Sequence, residues 1–551
     1  MADLTTWRAL VEKELAGASF DKLVQRTAEG IALQPLYAER TAEAPFVRDA
    51  TRAPFKLCMR VAPGGDIAPE LEGGAEAIWT RDPAAINAAL DRGLVVVMGD
   101  GHQGGLDEHA ITDGDEPDDA DEDEASDAAN VAELWSSFDV IGDAVRDPSM
   151  FDDAAERDPL VPIVRDAIAE DPEWRCIRVT TLPFHERGAD AADELALGLS
   201  SLVATLRQLD AAAIDLSRAS RLMWAQIAVG RDTFGELCKL RALRVLWHKV
   251  LAASGITDGK LDAIHAVCSE RTMSTRDPWV NMLRVTTQVF AAALGGAHLI
   301  TPLPFDAAFA NPSALGQRVA RNTALVLREE SQLGRVIDAA GGSYYIEART
   351  DALAREAWSR FNAIEREGGI VELLRTGALQ ARLDAAWKQR AAAIAKRKEP
   401  VLGVTEFANL RETLPGTPSA RTGVHRDSEA FEALRTRVEA APREVALIQL
   451  GPPAEHRARV GFAEGFFAVA GIAAKAGQIA SGLDVACICG ADERYATEAA
   501  DTARALKAAG TNRVVLAGRP GALEAELKAA GVDAFIFVGC DVLGTLEDLL
   551  V

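Results

Sequence analysis

The stretch LMWAQIAVGRDTFGELCKLRALRVLWHKVLAA (222–253) decides the fold class. Its first eight residues form an almost continuous apolar run, which is typical of a strand buried on both faces. After Gly230 the pattern changes, and the remaining residues follow the spacing of a long amphipathic helix. A buried strand that leads directly into a long helix is the repeating unit of a parallel α/β sheet.

The same change from strand to helix recurs on both sides of this stretch. Strand-like runs alternate with helical patterns from roughly residue 80 to residue 400. This alternation predicts a parallel α/β architecture, most simply a (β/α)8 TIM barrel. The strand-like runs are GLVVVMGD (93–100), CIRVTTLPF (176–184), HLITPLPF (298–305) and RVIDAAGGSYYI (335–346), and the helical ones include 192–209 and 279–296.

Composition divides the 551 residues into four parts. Residues 1–37 are expected to form an N-terminal interaction arm, and residues 38–400 the barrel. Residues 401–442 are rich in Pro, Gly and Thr and are expected to be a linker. In 443–551, short apolar runs alternate with helical patterns, which predicts a small flavodoxin-like, doubly wound sheet.

Charge and cysteine content exclude several classes of function. A net charge of −24 argues against binding to nucleic acid or to anionic lipid. Half of this charge lies in an acidic loop, 107–127, with twelve Asp or Glu and no Lys or Arg, which we expect to be a solvated insertion rather than an interaction tail or a metal site. The seven cysteines are scattered and the chain starts without a signal-peptide pattern, so we expect reduced thiols, no metal site and a cytoplasmic location.

Five collinear segments carry patterns longer than any short motif. They are GIALQPLY (30–37), DTFGELCKLRALRVLW (232–247), RDPWVNMLRVTTQVFAAALGGAHLITPLPFD (276–306), RVARNTALVLREESQLGRVIDAAGGSYYIE (318–347) and GPPAEHRARVGFAEGFFAVAGI (451–472). Together they resemble the acyl-CoA mutases that use adenosylcobalamin, most closely the methylmalonyl-CoA mutase family. The resemblance implies an arm, a barrel whose bore takes the CoA ester, and a cobalamin domain. It also implies isomerisation of methylmalonyl-CoA and succinyl-CoA through radicals that the protein shields from water.

The C-terminal part departs from the family's cobalamin motif, Asp-x-His-x-x-Gly. The resemblance places His456 at the cobalt-ligand position, but Ala454 replaces the Asp that orients the ligand and Arg459 replaces the Gly. The segments 491–498 and 517–524, where the family has small residues, are bulky and charged. We therefore expect a degenerate cobalamin-binding-like domain, with His456 as a surface residue rather than a cobalt ligand.

A second copy of the motif occurs early in the chain. Asp100, His102 and Gly105 match Asp-x-His-x-x-Gly after the strand-like run LVVVM. A cobalamin domain would need further strands and helices behind this motif, but the acidic loop follows it. We interpret it as a Gly-rich βα turn and leave open whether it has any ligand role.

The barrel also departs from the family's substrate site. Catalytic relatives carry a Tyr beside the migrating group, whereas the matching stretch FKLCMRVAPGG (55–65) has none. Phe184 replaces a second Tyr, and His185 matches the His that hydrogen-bonds the thioester carbonyl, in a stretch two residues shorter than the family pattern. The run at 298–303, HLITPL, is mostly apolar where the family has polar donors. Such replacements remove electrostatic stabilisation from a site.

These losses indicate the small, non-catalytic subunit of a heterodimeric mutase. We expect no catalytic, cofactor-binding or metal-binding residue in this chain, and adenosylcobalamin bound by a large catalytic partner in a heterodimer. The arm, with Trp7, Leu10, Leu15 and Phe20, is a plausible wrapping element, although it could also dock on its own barrel. Two alternatives remain open: an acyl-CoA mutase barrel that uses cobalamin from another chain through His185, and a non-enzymatic acyl-CoA-binding scaffold. As a small subunit, this chain is expected to bind acyl-CoA at most weakly.

Overall fold

A computed structural model describes residues 4–39, 54–98, 133–136, 139–146, 160–170, 174–419 and 423–551. The acidic loop 107–127 and the motif at Asp100, His102 and Gly105 lie outside the described residues. The four domain boundaries drawn from the sequence stay predictions.

The N-terminal arm begins with helix α1 (Leu4–Glu14), none of whose residues is buried. The ring of Trp7 packs edge-on against Phe20, with the centroids 6.1 Å apart. Two short antiparallel strands, Gln25–Arg26 and Ala32–Leu33, follow. Tyr37 then packs edge-on against Tyr345 of the barrel at 5.3 Å. The end of the arm therefore rests on the barrel, while α1 contributes nothing to a core.

Eight parallel strands follow one another around the barrel in chain order. The first and last strands pair through Lys56 and Leu299. The fourth and fifth meet through a bridge between Trp135 and Arg175, in which Ser136 N donates to Arg175 O at 3.0 Å. The TIM-barrel prediction is confirmed. The strands are β1 (Lys56–Arg60), β2 (Ala77–Thr80), β3 (Val95–Met98), β4 (Glu133–Trp135), β5 (Ile177–Thr180), β6 (Met223–Val229), β7 (Ile264–Cys268) and β8 (Leu299–Thr301).

Helices cover the outside of the barrel, and the three long helices Ala191–Ala211, Thr233–Ala253 and Tyr344–Arg366 pack against one another. The two long helices that follow β5 and β6 start at aspartate caps: Asp190 accepts from Asp193 N, and Asp232 from Gly235 N. The helices are α2 (Ala68–Glu72), α3 (Pro83–Leu90), α4 (Val140–Arg146), α5 (Leu160–Glu170), α6 (Leu182–Glu186), α7 (Ala191–Ala211), α8 (Leu216–Ala219), α9 (Thr233–Ala253), α10 (Val280–Leu294), α11 (Ala314–Leu325), α12 (Tyr344–Arg366), α13 (Gly369–Thr376) and α14 (Ala378–Ala395).

The interpretation of 335–346 as a strand is wrong. This segment is a series of turns, with Asp338 and Gly342 in the left-handed region, and it leads into α12. The Ser343 side chain accepts from Ile346 N and so caps that helix. The apolar residues that suggested a strand are interrupted by the turn-forming Gly341–Gly342 pair.

The C-terminal residues form a second parallel sheet with apolar cores on both faces. In the order in which they pair, the strands are Lys475–Gly477, Val445–Gln449, Val485–Cys489, Arg513–Ala517 and Ala534–Ile536, so the prediction of a flavodoxin-like, doubly wound sheet is confirmed. The helix Glu429–Ala440 lies within the segment predicted as a linker, and its Phe431 and Leu434 are buried in the same core as residues of this sheet. The elements are α15 (Glu429–Ala440), β9 (Val445–Gln449), α16 (Pro453–Ala468), β10 (Lys475–Gly477), β11 (Val485–Cys489), α17 (Asp492–Arg494), α18 (Ala500–Ala508), β12 (Arg513–Ala517), α19 (Glu524–Ala529), β13 (Ala534–Ile536) and α20 (Val542–Leu550).

All seven cysteines are buried and none forms a disulfide. Burial raises the pKa of the Cys58 and Cys268 thiols to about 12. Among the described helices, none combines the length and the apolar character needed to cross a bilayer.

Candidate functional site

Three tryptophans from alternate strands fill the barrel interior. Trp79 lies on β2, Trp135 on β4 and Trp224 on β6, and each is at most 5% exposed. The rings of Trp135 and Trp224 are 5.3 Å apart, and His265 of β7 lies between Trp224, at 6.4 Å, and Trp79, at 5.4 Å. Side chains from alternate strands form the packed layers of such barrels. Here the layer is built from the largest side chains available.

A polar layer adjoins the tryptophans. His265 Nε2 lies 2.7 Å from Thr301 Oγ1, and its Nδ1 lies 3.2 Å from Gln226 Nε2. Thr180 Oγ1 donates to Gln226 Oε1 at 3.1 Å. All four residues are buried. The bore is therefore occupied by two layers of side chains that bond and pack with one another.

His185, the predicted thioester residue, is held inside the protein at the carboxyl end of the barrel. Its Nδ1 lies 2.5 Å from Glu194 Oε1, and its Nε2 lies 2.6 Å from Ser269 Oγ. Each of these three residues is at most 2% exposed. The adjacent Phe184, which replaces a family Tyr, is packed in the core. Both ring nitrogens of His185 are thus engaged by this chain's own side chains.

A buried ion cluster supports this histidine. Lys239 Nζ lies 2.9 Å from Glu194 and 2.6 Å from Glu236. Burial raises the pKa of both carboxyls, while the two carboxylates outweigh burial and raise the pKa of Lys239. Burial, together with the charges of Arg271 and Lys239, holds the pKa of His185 well below its ordinary value. His185 is therefore neutral at pH 7.

A cavity of about 450 Å³ opens beside this cluster at the carboxyl end of β6. Its walls include Gly230, Glu194, Glu236, Arg271 and the arm residue Arg26. A β-carbon at Gly230 would lie 3.7 Å from Cε1 of His185, so His185 lies directly behind that wall. The carboxyl ends of barrel strands are where barrel enzymes bind their substrates.

The other predicted barrel positions lie apart from this cavity. His298 immediately precedes β8, at the amino end of the barrel, where its Nδ1 accepts from Ile264 N. Burial, with the charges of Arg244 and Arg175, lowers the pKa of His298 to about 3. In 55–65, Arg60 ends β1 and its guanidinium lies 4.9 Å from the ring centre of Trp79.

The C-terminal sheet has a topological switch point between β9 and β11, because the chain leaves these neighbouring strands in opposite directions. In sheets of this kind, ligands bind in the crevice at such a point, outside the carboxyl ends of the strands. Here Arg494 Nε and Glu455 Oε2 form an ion pair at 2.6 Å across that point. A β-carbon at Gly451, just after β9, would lie 2.6 Å from Glu455 and 2.9 Å from Arg494.

Tyr495 fills the neighbouring space at the ends of β11 and β12. Its hydroxyl accepts from Gly490 N at 2.9 Å and donates to Ala517 O at 2.7 Å. β-Carbons at Gly490 and Gly518 would lie 3.3 Å and 3.0 Å from its ring. Arg459, at the position of the family's motif Gly, lies over this ring at 6.0 Å.

His456 lies in the first turn of α16, and the expectation of a surface residue is wrong. It is only 8% exposed, because His456, Ala463 and Phe467 lie on the helix face that packs against the sheet. Its Nδ1 has no hydrogen-bond partner in the described part of the chain. Ala454 precedes it by two residues, and in the part of the chain that the structure describes no carboxylate bonds to Nδ1 of the ring.

The described residues at this edge do not fit the nucleotide tail of a cobalamin. The crevice is bridged by Glu455 and Arg494, and the adjoining space holds the Tyr495 ring. No metal-binding group of three His, Cys, Asp or Glu side chains occurs among the described residues.

Comparison with known proteins shows the relationship of the whole chain. Residues 145–483 match the family model for methylmalonyl-CoA mutase. The chain belongs to the methylmalonyl-CoA mutase family. It is 35% identical to the methylmalonyl-CoA mutase small subunit of Streptomyces virginiae, over 99% of this chain and 96% of that protein. It is 41% identical to the probable small subunit of Mycobacterium tuberculosis (68% and 64% of the two chains), and 36% to the small subunit of Propionibacterium freudenreichii (69% and 63%).

Sequence reasoning within this mutase family missed the residues that fill the bore. A Trp in each of three alternate barrel strands was the available signal, since three indoles that face the interior leave little room for a channel. It also missed Ser269 and Lys239, whose roles depend on long-range packing. The bulky residues noted in 491–498 do include Arg494 and Tyr495, which fill the crevice at the topological switch point of the C-terminal sheet.

Proposed function

We propose that this chain is the small subunit of a methylmalonyl-CoA mutase, non-catalytic in the mutase reaction. A large partner chain would bind adenosylcobalamin and isomerise methylmalonyl-CoA and succinyl-CoA. The observation that carries this proposal is the filled bore, in which Trp79, Trp135 and Trp224 occupy the place that the family uses for the CoA ester.

The filled bore favours this function over a barrel that borrows cobalamin. Admitting a pantetheine chain would require removal of indoles that are packed at interior density, which costs several kcal/mol for each large side chain. His185 supports the same conclusion, since Glu194 and Ser269 already engage both of its nitrogens. We therefore propose that this chain supplies no catalytic residue to the isomerisation.

The C-terminal sheet supports cobalamin binding by the partner alone. A ligand at the switch point would have to separate the Glu455–Arg494 pair and displace Tyr495, leaving Gly490 N and Ala517 O without partners. Each buried backbone group left unpaired costs about 1–3 kcal/mol.

The arm supports a stable complex. No residue of helix α1 is buried by its own chain, and Leu10 is 58% exposed. An amphipathic helix without a core of its own can gain stability by covering a partner. An obligate interface also needs a large buried area, which an extended arm helps to provide.

Co-expression with a large chain of the family that keeps an intact Asp-x-His-x-x-Gly motif tests this function. We expect a 1:1 complex by light scattering, with mutase activity that requires the large chain. Leu10→Asp should weaken the complex, while the matched surface change Leu283→Asp on barrel helix α10 should leave it intact. Failure of the two chains to associate, or mutase activity of this chain alone, would contradict the proposal.

A further inference from the structure

Ser269, His185 and Glu194 form a hydrogen-bonded series that the mutase function leaves unused. Ser269 Oγ lies 2.6 Å from His185 Nε2, and His185 Nδ1 lies 2.5 Å from Glu194 Oε1. A hydroxyl bonded to one imidazole nitrogen, with a carboxylate on the other, is the geometry that activates a serine nucleophile. Ser269 directly follows β7, His185 lies on α6 and Glu194 on α7, so only the fold brings them together.

Ser269 is not explained by a local structural role. It is the residue before the short 3-10 helix Glu270–Thr272, where a serine commonly caps backbone N–H groups, but its side chain makes no such bond. Among the described residues, its hydroxyl bonds only to His185. The hydroxyl is therefore aimed at the imidazole.

The charges around the series suit a neutral histidine base. Lys239 bonds the second oxygen of Glu194, which fixes that carboxylate in place. Arg271 Nη1 donates to the carbonyl oxygens of His185 and Ala189 at 2.6 and 2.9 Å, and so holds the backbone of His185. Arg271 Nε is buried without a hydrogen-bond partner in the described chain. The Arg271 Nε–H group is therefore an unused hydrogen-bond donor, on a residue two positions after Ser269.

The cavity beside Gly230 provides space for a small reactant. Glu194, Arg271 and Gly230 belong both to the cavity wall and to the surroundings of His185. With a volume of about 450 Å³, the cavity falls in the size range of small-molecule sites. Ser269 itself is 2% exposed, so a reactant would reach it from this cavity through local movement.

We propose that Ser269 is a nucleophile for acyl transfer from small activated esters or thioesters to water. His185 is the base, and Glu194 is a positioning residue. As Ser269 Oγ bonds to the acyl carbon, its proton passes to His185 Nε2. Collapse of the tetrahedral adduct breaks the bond to the alcohol or thiol, which leaves with that proton. Water then attacks the acyl-serine by the same route, giving the carboxylic acid and free Ser269. This chemistry needs neither cobalamin nor a partner chain.

The direct test is covalent labelling of the full wild-type chain with diisopropyl fluorophosphate, followed by peptide mass spectrometry. We expect one adduct, on Ser269, which is lost when the chain is unfolded before labelling. Folded chain that carries no adduct on Ser269 overturns the proposal.

Hydrolysis of p-nitrophenyl acetate supplies the second readout. Ser269→Ala and His185→Gln should each lower the rate by about 10²-fold or more. Ser274→Ala is the matched control, because Ser274 is an equally buried serine on the same loop that bonds Asn281 instead of His185. Equal rates for Ser269→Ala and Ser274→Ala would contradict the proposal.

The pH profile tests the positioning role of Glu194. In the wild-type chain, the rate should persist below pH 6.5, because burial and the neighbouring cations hold the pKa of His185 below its ordinary value. Glu194→Gln should lower the rate and change the pH at which it falls. A merely structural role for Glu194 would leave that pH unchanged.

Discussion

Replacing Trp224 with alanine would create a cavity in the middle of the bore. The indole is fully buried, and loss of a buried large side chain costs about 3–5 kcal/mol. Its Nε1 also donates to Ser136 O at 3.2 Å, a bond worth about 1 kcal/mol. Its ring packs against Trp135 at 5.3 Å, which adds about 1 kcal/mol. Because these two contacts place the change at the upper end of that range, we expect the free energy of unfolding of the barrel to fall by about 5 kcal/mol.

Urea unfolding followed by tryptophan fluorescence measures this loss. All nine tryptophans lie between residues 7 and 387, so the signal reports the arm and the barrel rather than the C-terminal sheet. Trp224→Phe keeps an aromatic ring and should cost only about 1–2 kcal/mol, chiefly for the lost hydrogen bond. Leu283→Ala, at a position 60% exposed, should change stability by less than about 0.5 kcal/mol.

Indole added to the alanine variant should restore part of the stability. A closed apolar cavity binds a ligand of matching shape, and indole at 100 times its Kd would stabilise the variant by about 2.7 kcal/mol. If Trp224→Ala costs no more than the Leu283→Ala control, and indole has no effect, the three tryptophans do not fill the bore.

Three further predictions concern other buried groups. Tyr495→Phe should destabilise the C-terminal sheet by about 1–3 kcal/mol, because it leaves Ala517 O without a donor; circular dichroism in urea measures this, with the 44%-exposed Tyr344→Phe as the control. His298 has a folded-state pKa of about 3 against about 6.5 when unfolded, so its contribution to stability is present above pH 6.5 and is lost as the pH falls towards 3. His298→Gln should therefore lower the slope of the free energy of unfolding with pH, between about pH 4 and 6, by about 1.4 kcal/mol per pH unit. An unchanged slope would refute this. The thiols of Cys58 and Cys268 should react with Ellman's reagent only after unfolding, and rapid reaction of the folded chain would contradict their burial.

The alternation of strands and helices could be predicted because β3, β5, β6 and β8 each carry a buried apolar run of their own. A buried run such as 223–229 and the helix 233–253 are fixed by local periodicity and by an aspartate cap. The strand prediction for 335–346 was wrong because an apolar run is ambiguous when turn residues divide it. Helix α15 was missed because its flanks are rich in Pro and Gly, which suggested a linker throughout.

The candidate site was predicted less completely, for a physical reason. Departures from a motif, such as Arg459 for Gly, can be seen in the sequence. The side chains that occupy the space of the family's ligand cannot be identified in this way. The contact of Ser269 with His185 joins residues 84 positions apart, and that of Arg494 with Glu455 joins 39. Likewise, the burial of His456 depends on how α16 is rotated against the sheet, which a motif does not specify.

Equilibrium dialysis of the purified chain against adenosylcobalamin, read by its visible absorbance, tests the central claim most directly. The filled switch point at Glu455, Arg494 and Tyr495 predicts no cobalamin retained by this chain alone, and full retention only when the large chain is present. Stoichiometric cobalamin bound to this chain alone, with a cobalt spectrum that changes in His456→Ala, would contradict it.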